Sequence, residues 1–466
     1  MNSKAVVEYF LRHKLLVEPA LLDSLKALEE EQLKALIARL TGSGSTVVLD
    51  SAALGELEPD LRVIENWTSR PSPKEVGQFV SQLSHRYQTL ASILAKRPEL
   101  AGALSIRRAL ASQPGSELAI IGVISEKRET KSGGIMLVLE DPSGRMNVFV
   151  NKNKAALFGL AKDTVLDEVV GVTGKSGERI LFANNIILPD LPSRELTRAA
   201  KPGIALFLSD FHFGSRNFLK TEFDRFLDWL NNGLGDPAQR ALAESVRYIF
   251  IIGDVVDGIG VYPNQQCDLE IVDLEEQYDH LSRALSKIPR HIKIIISPGN
   301  HDGVRLAEPQ PSLEIPTLTR LQNVLTVSNP ALLSVGATGL TVLLYHGLSF
   351  LHYAYAVESI RLSGGPTRPE LIARFLLQRR HLAPTYTSTL IAPSEIDALC
   401  ISQPPDIFAS GHLHRASVAN YKSTTMLNCS CWLSKTDYQL RLGLEPEPAR
   451  AIAVELSTRE TRVLKF

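Results

Sequence analysis

Only four cysteines occur in 466 residues, Cys267, Cys400, Cys429 and Cys431. They are too few and too scattered for a disulfide framework. A lone C-x-C at Cys429 and Cys431, without a second pair, is a weak zinc signal, so buried thiols acting as small hydrophobes are expected. No apolar run approaches the ~20 residues that a membrane-spanning helix needs. Arg12, His13 and Lys14 interrupt the one early apolar stretch, so no secretory signal is expected. A soluble, cytoplasmic protein with no membrane partner is the expectation. An excess of one charge is also missing, since 50 Lys+Arg against 51 Asp+Glu leave a formal charge of −1. A nucleic-acid enzyme would then draw its phosphate contacts from local basic patches or a partner, and charge argues neither way.

What is present is length, more than one hydrophobic core usually organises, so two or three domains are expected. Residues 1–41 read as a small helical module, with Leu21, Leu22, Leu25 and Leu28, then Leu33, Leu36, Ile37 and Leu40, at helical spacing. Thr41-Gly-Ser-Gly-Ser45 has linker composition, and 42–71 is assigned as a flexible linker. A helical lead-in spans 72–114. Its start, Ser72-Pro-Lys-Glu75, has the form of a capping box, and Pro98 stops it. Val76, Phe79, Val80, Leu83, Tyr87, Leu90 and Leu94 form one stripe, predicted to be core.

From about residue 115 short β-rich segments take over, at 118–125, 135–139, 146–150, 168–173 and 180–187. Five such strands fit an OB-type barrel over 115–192. Phe149 and Phe182 are its only strand aromatics, a poor set for stacking bases, so a barrel used for protein contacts is expected. Over 193–466 apolar strands alternate with longer helical stretches. That alternation predicts an α/β domain, within an α/β multidomain chain, whose strand-end loops carry function.

The chemistry-bearing residues follow those strands. Ile204–Leu208 leads into Ser209-Asp210-Phe211-His212, and 248–252 into Gly253-Asp254-Val255-Val256-Asp257. Segment 292–296 leads into Pro298-Gly299-Asn300-His301-Asp302, 340–345 into His346-Gly347, and 407–409 into Gly411-His412-Leu413-His414. One D-x-H or H-x-H recurs by accident; five motifs in order, each just after an apolar strand, do not. Carboxylate, imidazole and amide oxygen together suit Mn²⁺, Fe²⁺ or Zn²⁺. Two ions ~3.5–4 Å apart, held by a bridging carboxylate, can activate water and clamp phosphate oxygens.

This order resembles the calcineurin-like metallophosphoesterase family, with D-x-H, G-D-x-x-D, G-N-H-D, H-G and G-H-x-H all intact over roughly 204–435. The resemblance implies a four-layer domain with two central sheets. It places one metal on Asp210, His212, Asp254 and His414, and a second on Asp254, Asn300, His346 and His412, with Asp254 as the bridge. His301 would face the leaving oxygen as general acid or transition-state stabiliser, and Asp257 would orient and charge His301. Mn²⁺ is the first expectation for both ions, with Zn²⁺, Fe²⁺ or Mg²⁺ as alternatives.

A closer resemblance covers 72–466. The stretch from Gly253 to Tyr262-Pro263, Pro298-Gly-Asn-His-Asp-Gly-Val-Arg305, Arg379-Arg-His-Leu-Ala-Pro384 and the tail through Tyr421, Lys422, Asn428 and Trp432 are similar to the small-subunit family of archaeal D-family DNA polymerases. That resemblance implies a 3′–5′ exonuclease proofreading for a separate large catalytic subunit, with single-stranded DNA 3′ ends as substrate. The eukaryotic B subunits share the layout but have lost the ligands. A stand-alone phosphodiesterase or repair nuclease, and a non-catalytic scaffold, are the alternatives. Arg379, Arg380 and His381 form the clearest basic cluster and are candidates for phosphate contact; Arg305 is better placed for it. Tyr262 and His352 could stack a terminal base. The run His346-Gly-Leu-Ser-Phe-Leu-His352 and Cys429-Ser-Cys431 depart from the family pattern at positions that are not ligands.

Overall fold

The computed structural model describes residues 3–13, 15–17, 47–49, 61–67, 75–336, 338–436, 439–440 and 443–466. Within the expected helical module Ser3–Leu11 is a helix and Leu15–Val17 (β1) is a strand, which pairs in parallel with Val47–Leu49 (β2) inside the expected linker. The leucines from Leu21 to Leu40, and 41–45, lie outside the described residues.

Part of the expected linker is a strand. Leu61–Asn66 (β3) pairs antiparallel with Ala331–Val335 (β13) and closes the edge of a catalytic-domain sheet. Leu61 and Val63, two apart, face the core there, which is the period of a half-buried strand.

The lead-in helix runs Val76–Leu94 with Glu75 at its N-cap, and Gln78 returns to the Glu75 N–H at 3.4 Å. Residues 72–74 lie outside the described residues. The predicted stripe is corrected in its first half: Val76, Val80 and Leu83 are exposed, and Gln82, Arg86, Leu90 and Leu94 face inward. The cause is electrostatic. Arg86 Nε lies 2.7 Å from Asp397 Oδ2 and its Nη1 donates to the Pro384 carbonyl at 2.6 Å, so the helix turns a polar face in.

Glu117–Glu129 (β4), Ile135–Asp141 (β5), Gly144–Val150 (β6), Val169–Ser176 (β7) and Ile180–Ile187 (β8) close a barrel in the order β4-β5-β6-β8-β7. Only β6–β8 is parallel. The segment between β6 and β7 packs on the next domain: Glu168 forms an ion pair with Arg379 at 2.6 Å, Lys162 meets Glu358 at 2.9 Å and Asp167 accepts the Tyr386 N–H at 3.0 Å.

The remaining strands form two six-stranded sheets. Ile204–Leu208 (β9), Val246–Ile252 (β10), Lys293–Ser297 (β11) and Val324–Thr326 (β12) are joined in the first by Arg450–Glu455 (β18) and Thr461–Lys465 (β19), in the order β12-β11-β10-β9-β18-β19. The second holds β3, β13, Leu340–Leu344 (β14), Ile407–Ser410 (β15), Ser417–Tyr421 (β16) and Thr424–Asn428 (β17), ordered β16-β17-β15-β14-β13-β3. Alternation along each strand builds four layers. Leu206, Leu208, Ile249 and Ile251 face the helices outside the first sheet, whereas Phe207, Phe250 and Ile295 face the space between sheets. Leu333, Val342 and Leu344 meet them there, and Leu343 and Phe408 face helices on the far side. Phe207 and Phe250 stack at 4.9 Å across parallel neighbours. Being covered on both faces, the central strands are apolar throughout.

The Arg86–Asp397 pair should govern how firmly the lead-in helix holds the catalytic domain. Arg86→Ala leaves a buried carboxylate without its partner, a change that costs about 3–5 kcal/mol. A lower calorimetric unfolding midpoint is expected; an unchanged midpoint would show that the pair is dispensable.

Candidate metal centre

β9, β10 and β11 are mutually parallel, as are β14 and β15, so their C-terminal ends open toward one cleft. The chain turns there through left-handed backbone: φ is 55° at Asp210, 53° at His212, 51° at Asp254, 67° at His412 and 55° at His414. Each such residue costs about 1–2 kcal/mol in an L-amino acid. Main-chain bonds hold these turns, with Asp210 N–H donating to the Gly253 carbonyl and His212 N–H to the Asp254 carbonyl, both at 3.0 Å. Glycine is required alongside. A Cβ on Gly299 would stand 2.2 Å from Asp254 Oδ1, and one on Gly411 2.7 Å from Asp210 Oδ2.

Both buried carboxylates divide their oxygens between scaffold and cavity. Asp210 Oδ2 accepts the His412 N–H at 3.0 Å, leaving Oδ1 3.2 Å from His414 Nε2 and 3.9 Å from His212 Nε2. Asp254 Oδ1 accepts the His301 N–H at 2.8 Å, leaving Oδ2 3.2 Å from His346 Nε2 and 3.8 Å from His212 Nε2. Asn300 Oδ1 lies 3.2 Å from His346 Nε2. Two ligand groups result, Asp210, His212 and His414 in one and Asp254, His346 and His412 in the other. Asp254 Oδ2 approaches a histidine of each group, His212 in the first and His346 in the second.

Asp210 Oδ1 and His212 Nε2 are buried without a hydrogen-bond partner. Buried polar atoms rarely stay so, and a divalent cation would satisfy both. The far ring nitrogens of His346 and His212 are fixed as ligation demands. His346 Nδ1 donates to the Ile252 carbonyl at 2.8 Å, and His212 Nδ1 lies 3.0 Å from Asp257 Oδ1. His414 Nδ1 sits 2.7 Å from the Gln439 side-chain amide.

Burial alone would lower His346, but the Asp254 carboxylate pushes it up to about 10, and His414 is likewise raised against burial by Cys431 and Asp210. His412 goes the other way, down to about 3, through burial and the nearby His346 charge. Both raised imidazoles thus favour their charged form beside the carboxylates.

The expected carboxylate pairing of Asp257 with His301 is corrected. The Asp257 carboxylate holds His212, and its main-chain carbonyl holds His301 Nδ1 at 2.7 Å. Gln265 was not singled out from the sequence. Its Nε2 donates to the Asp257 carbonyl at 2.7 Å and to Asp257 Oδ2 at 3.0 Å. Asp302 was quoted within its motif without a role; it accepts from the Val255, Val256 and Gly299 N–H groups and ties two ligand loops together.

Arg379, Arg380 and His381 are corrected as phosphate candidates, because all three are buried. Arg379 pairs with Glu168 over the Phe375 ring, and Arg380 donates to the Ile401 and Ser402 carbonyls. His381 Nδ1 accepts the Ala383 N–H and Nε2 faces Asp397 at 3.0 Å. Burial, with Arg86 nearby, pushes His381 down to about 4, and it is neutral. His212, Asp257 and His301 also stand close enough to share an ion, and His381, Asp397 and Cys400 form a separate grouping away from the cleft, but there the Arg86 guanidinium already supplies the cation. Arg305 is half-buried and braces its own loop, donating to the Ala307 and Pro309 carbonyls. His352 packs edge-on against Tyr353 at 5.0 Å. Cys400, Cys429 and Cys431 are buried free thiols as expected, whereas Cys267 is exposed.

Two facing sheets with a doubled carboxylate–histidine cleft at their strand ends define the metallophosphoesterase class, and residues 205–416 match the calcineurin-like phosphoesterase family. Over its greater length the chain is 36% identical to the DNA polymerase II small subunit of Methanothermobacter thermautotrophicus, across 84% of this chain and 80% of that one. It is 34% identical to the same subunit of Archaeoglobus fulgidus, across 100% and 88%, and 31% identical to that of Thermoplasma acidophilum, across 100% and 93%. The chain belongs to the family of archaeal DNA polymerase II small subunits. Among the described residues no helix is long and apolar enough to cross a membrane.

Asp254→Ala should lower the metal content at both positions, and two full equivalents by elemental analysis would rule out a bridge. Ligation needs neutral imidazoles, so metal binding to the apo chain should release the protons on His346 and His414. Mn²⁺ affinity should then rise by about tenfold per pH unit, per proton released, between pH 6 and 8. A pH-independent affinity in calorimetric titrations would contradict this.

Proposed function

We propose that this chain is the nuclease-bearing subunit of a two-subunit archaeal replicative DNA polymerase, located in the cytoplasm at the nucleoid. Its metal centre would act as a 3′–5′ exonuclease on single-stranded or mismatched DNA 3′ ends, proofreading for a large catalytic subunit. The observation that carries this reading is the complete ligand set with two buried orphan atoms. A scaffold subunit would have no need to keep Asp210 Oδ1 and His212 Nε2 aimed into the cleft. A stand-alone phosphodiesterase is disfavoured because the family likeness extends through the barrel as well as the phosphoesterase fold.

Asp210, His212, Asp254 and His414 would hold one divalent ion, and Asp254, Asn300, His346 and His412 the other, with Mn²⁺ as the favoured metal. Such a pair supplies an activated water and neutralises the phosphate oxygens. The chain's own residues do the rest. The attacking oxygen forms a bond to phosphorus, the P–O3′ bond breaks, and the departing 3′-oxygen takes a proton. His301 is the group for that proton: its Nδ1 donates to the Asp257 carbonyl, which leaves Nε2 to deliver it. Asp257 and Gln265 act as positioning residues, fixing the ring's angle and the His212 tautomer. The products are a nucleoside 5′-monophosphate and a strand shortened by one.

The test uses purified full-length protein, Mn²⁺ and a 3′-labelled single strand. Release of labelled monophosphate is expected, and an intact strand would support the scaffold reading. His301→Ala should keep both metals while reducing kcat by about 10²–10⁴-fold. Loss of metal in that variant would show that His301 had been misassigned.

A further inference from the structure

The loop after Asp257 has features that the metal centre does not use. Gly258 and Gly260 take φ of 75° and 72°, and a Cβ on Gly258 would stand 2.2 Å from the His301 carbonyl oxygen, so the loop lies directly against the His301 backbone. The loop then presents Tyr262. The ring is 38% exposed, and its centroid is 6.3 Å from that of His301 at a 61° tilt. It does not hang free. Its hydroxyl donates to Asp268 Oδ2 at 3.0 Å, and Gln265 accepts the Val261 N–H at 2.9 Å while anchored on Asp257. Asp268 is held in turn through its own carbonyl, which accepts the Arg216 N–H at 2.9 Å. An aromatic side chain fixed by its polar end, with part of its ring open to solvent, is organised as a stacking surface.

We infer that Tyr262 is a nucleobase platform for the penultimate nucleotide of the strand, the one that keeps the new 3′ end. This rests on the exonuclease reading. The 3′-oxygen that would take the His301 proton belongs to the penultimate sugar, not to the nucleotide released. The base of that sugar lies one sugar's width from the oxygen, and Tyr262 is the part-exposed aromatic ring beside His301. The terminal base lies on the other side of the scissile phosphate. A tyrosine face accepts any base, as an enzyme acting on arbitrary sequence requires.

The experiment compares full-length protein with Mn²⁺ on oligothymidylates carrying an abasic residue at the penultimate or at the terminal position. Stacking on one base is worth about a factor of ten or more in binding. A penultimate abasic residue should raise the wild-type KM by that order, and a terminal one should not. Tyr262→Ala should raise KM similarly on the normal strand and show no further loss on the penultimate abasic one. Tyr262→Phe, which keeps the ring, should retain wild-type discrimination. A wild type indifferent to the penultimate base would overturn the platform. So would a Tyr262→Ala variant with lower kcat at unchanged KM, which would make Tyr262 a wall for His301. If the wild type hydrolyses bis-p-nitrophenyl phosphate but no DNA strand, the exonuclease reading fails first and the platform fails with it.

Discussion

Two fully buried carboxylates, Asp210 and Asp254, point into one small cavity, and much of the molecule answers to that arrangement. Like charges withdrawn from water repel strongly. Each is held by giving one oxygen to a main-chain N–H from a neighbouring ligand loop, so neither can swing away. Their remaining oxygens are offset by imidazoles from three strand ends, drawn from both sheets. The two sheets are therefore joined by the apolar layer between them and also by the electrostatics at its open edge. The left-handed turns at five ligands are tolerated because the sheets behind them hold their direction.

Legibility in the sequence followed chemical type. The five strand-end motifs could be read because carboxylate and histidine are rare after apolar strands, and the strands declared themselves by continuous apolar runs. Interactions whose partners lie far apart in the chain could not be read. Arg379-Arg-His381 looks like a surface basic cluster, yet Glu168 in the barrel segment and Asp397 beyond the helix draw two of its members inside. Arg86 sits on a helix whose apolar residues suggest another inward face, and Asp397 and Pro384, 311 and 298 residues away, turn that helix. Gln265 carries no signal at all: an amide in a loop gains meaning only when Asp257 is beside it. The Asp257–His301 assignment had the right residues but the wrong atom, a carbonyl in place of a carboxylate, which sequence cannot distinguish.

Barrel and catalytic domain meet through the buried Glu168–Arg379 pair and the exposed Lys162–Glu358 pair, with Val165 of the barrel segment packed into the catalytic domain's apolar cluster. Glu168 and Arg379 are both almost fully buried, and burial raises the Glu168 carboxyl against the pull of Arg379. Such a pair adds little net stability compared with an apolar contact but tolerates no mispairing. It therefore fixes the angle at which the barrel sits and leaves the barrel's own core independent of it.

The edge strand β3 has a consequence in time. Asn66 accepts the Ser328 N–H across 262 residues, with the whole barrel lying between them in the chain. During synthesis at about 5–20 residues per second, β3 would wait roughly 13–50 s for the strand it pairs with. The barrel, whose pairings are local, can close in that interval, while the catalytic sheet cannot. Conversely, a fragment beginning after the barrel would leave β13 as a bare edge, open to pairing with another chain. The segment ahead of the barrel thus completes the catalytic unit rather than merely leading to it.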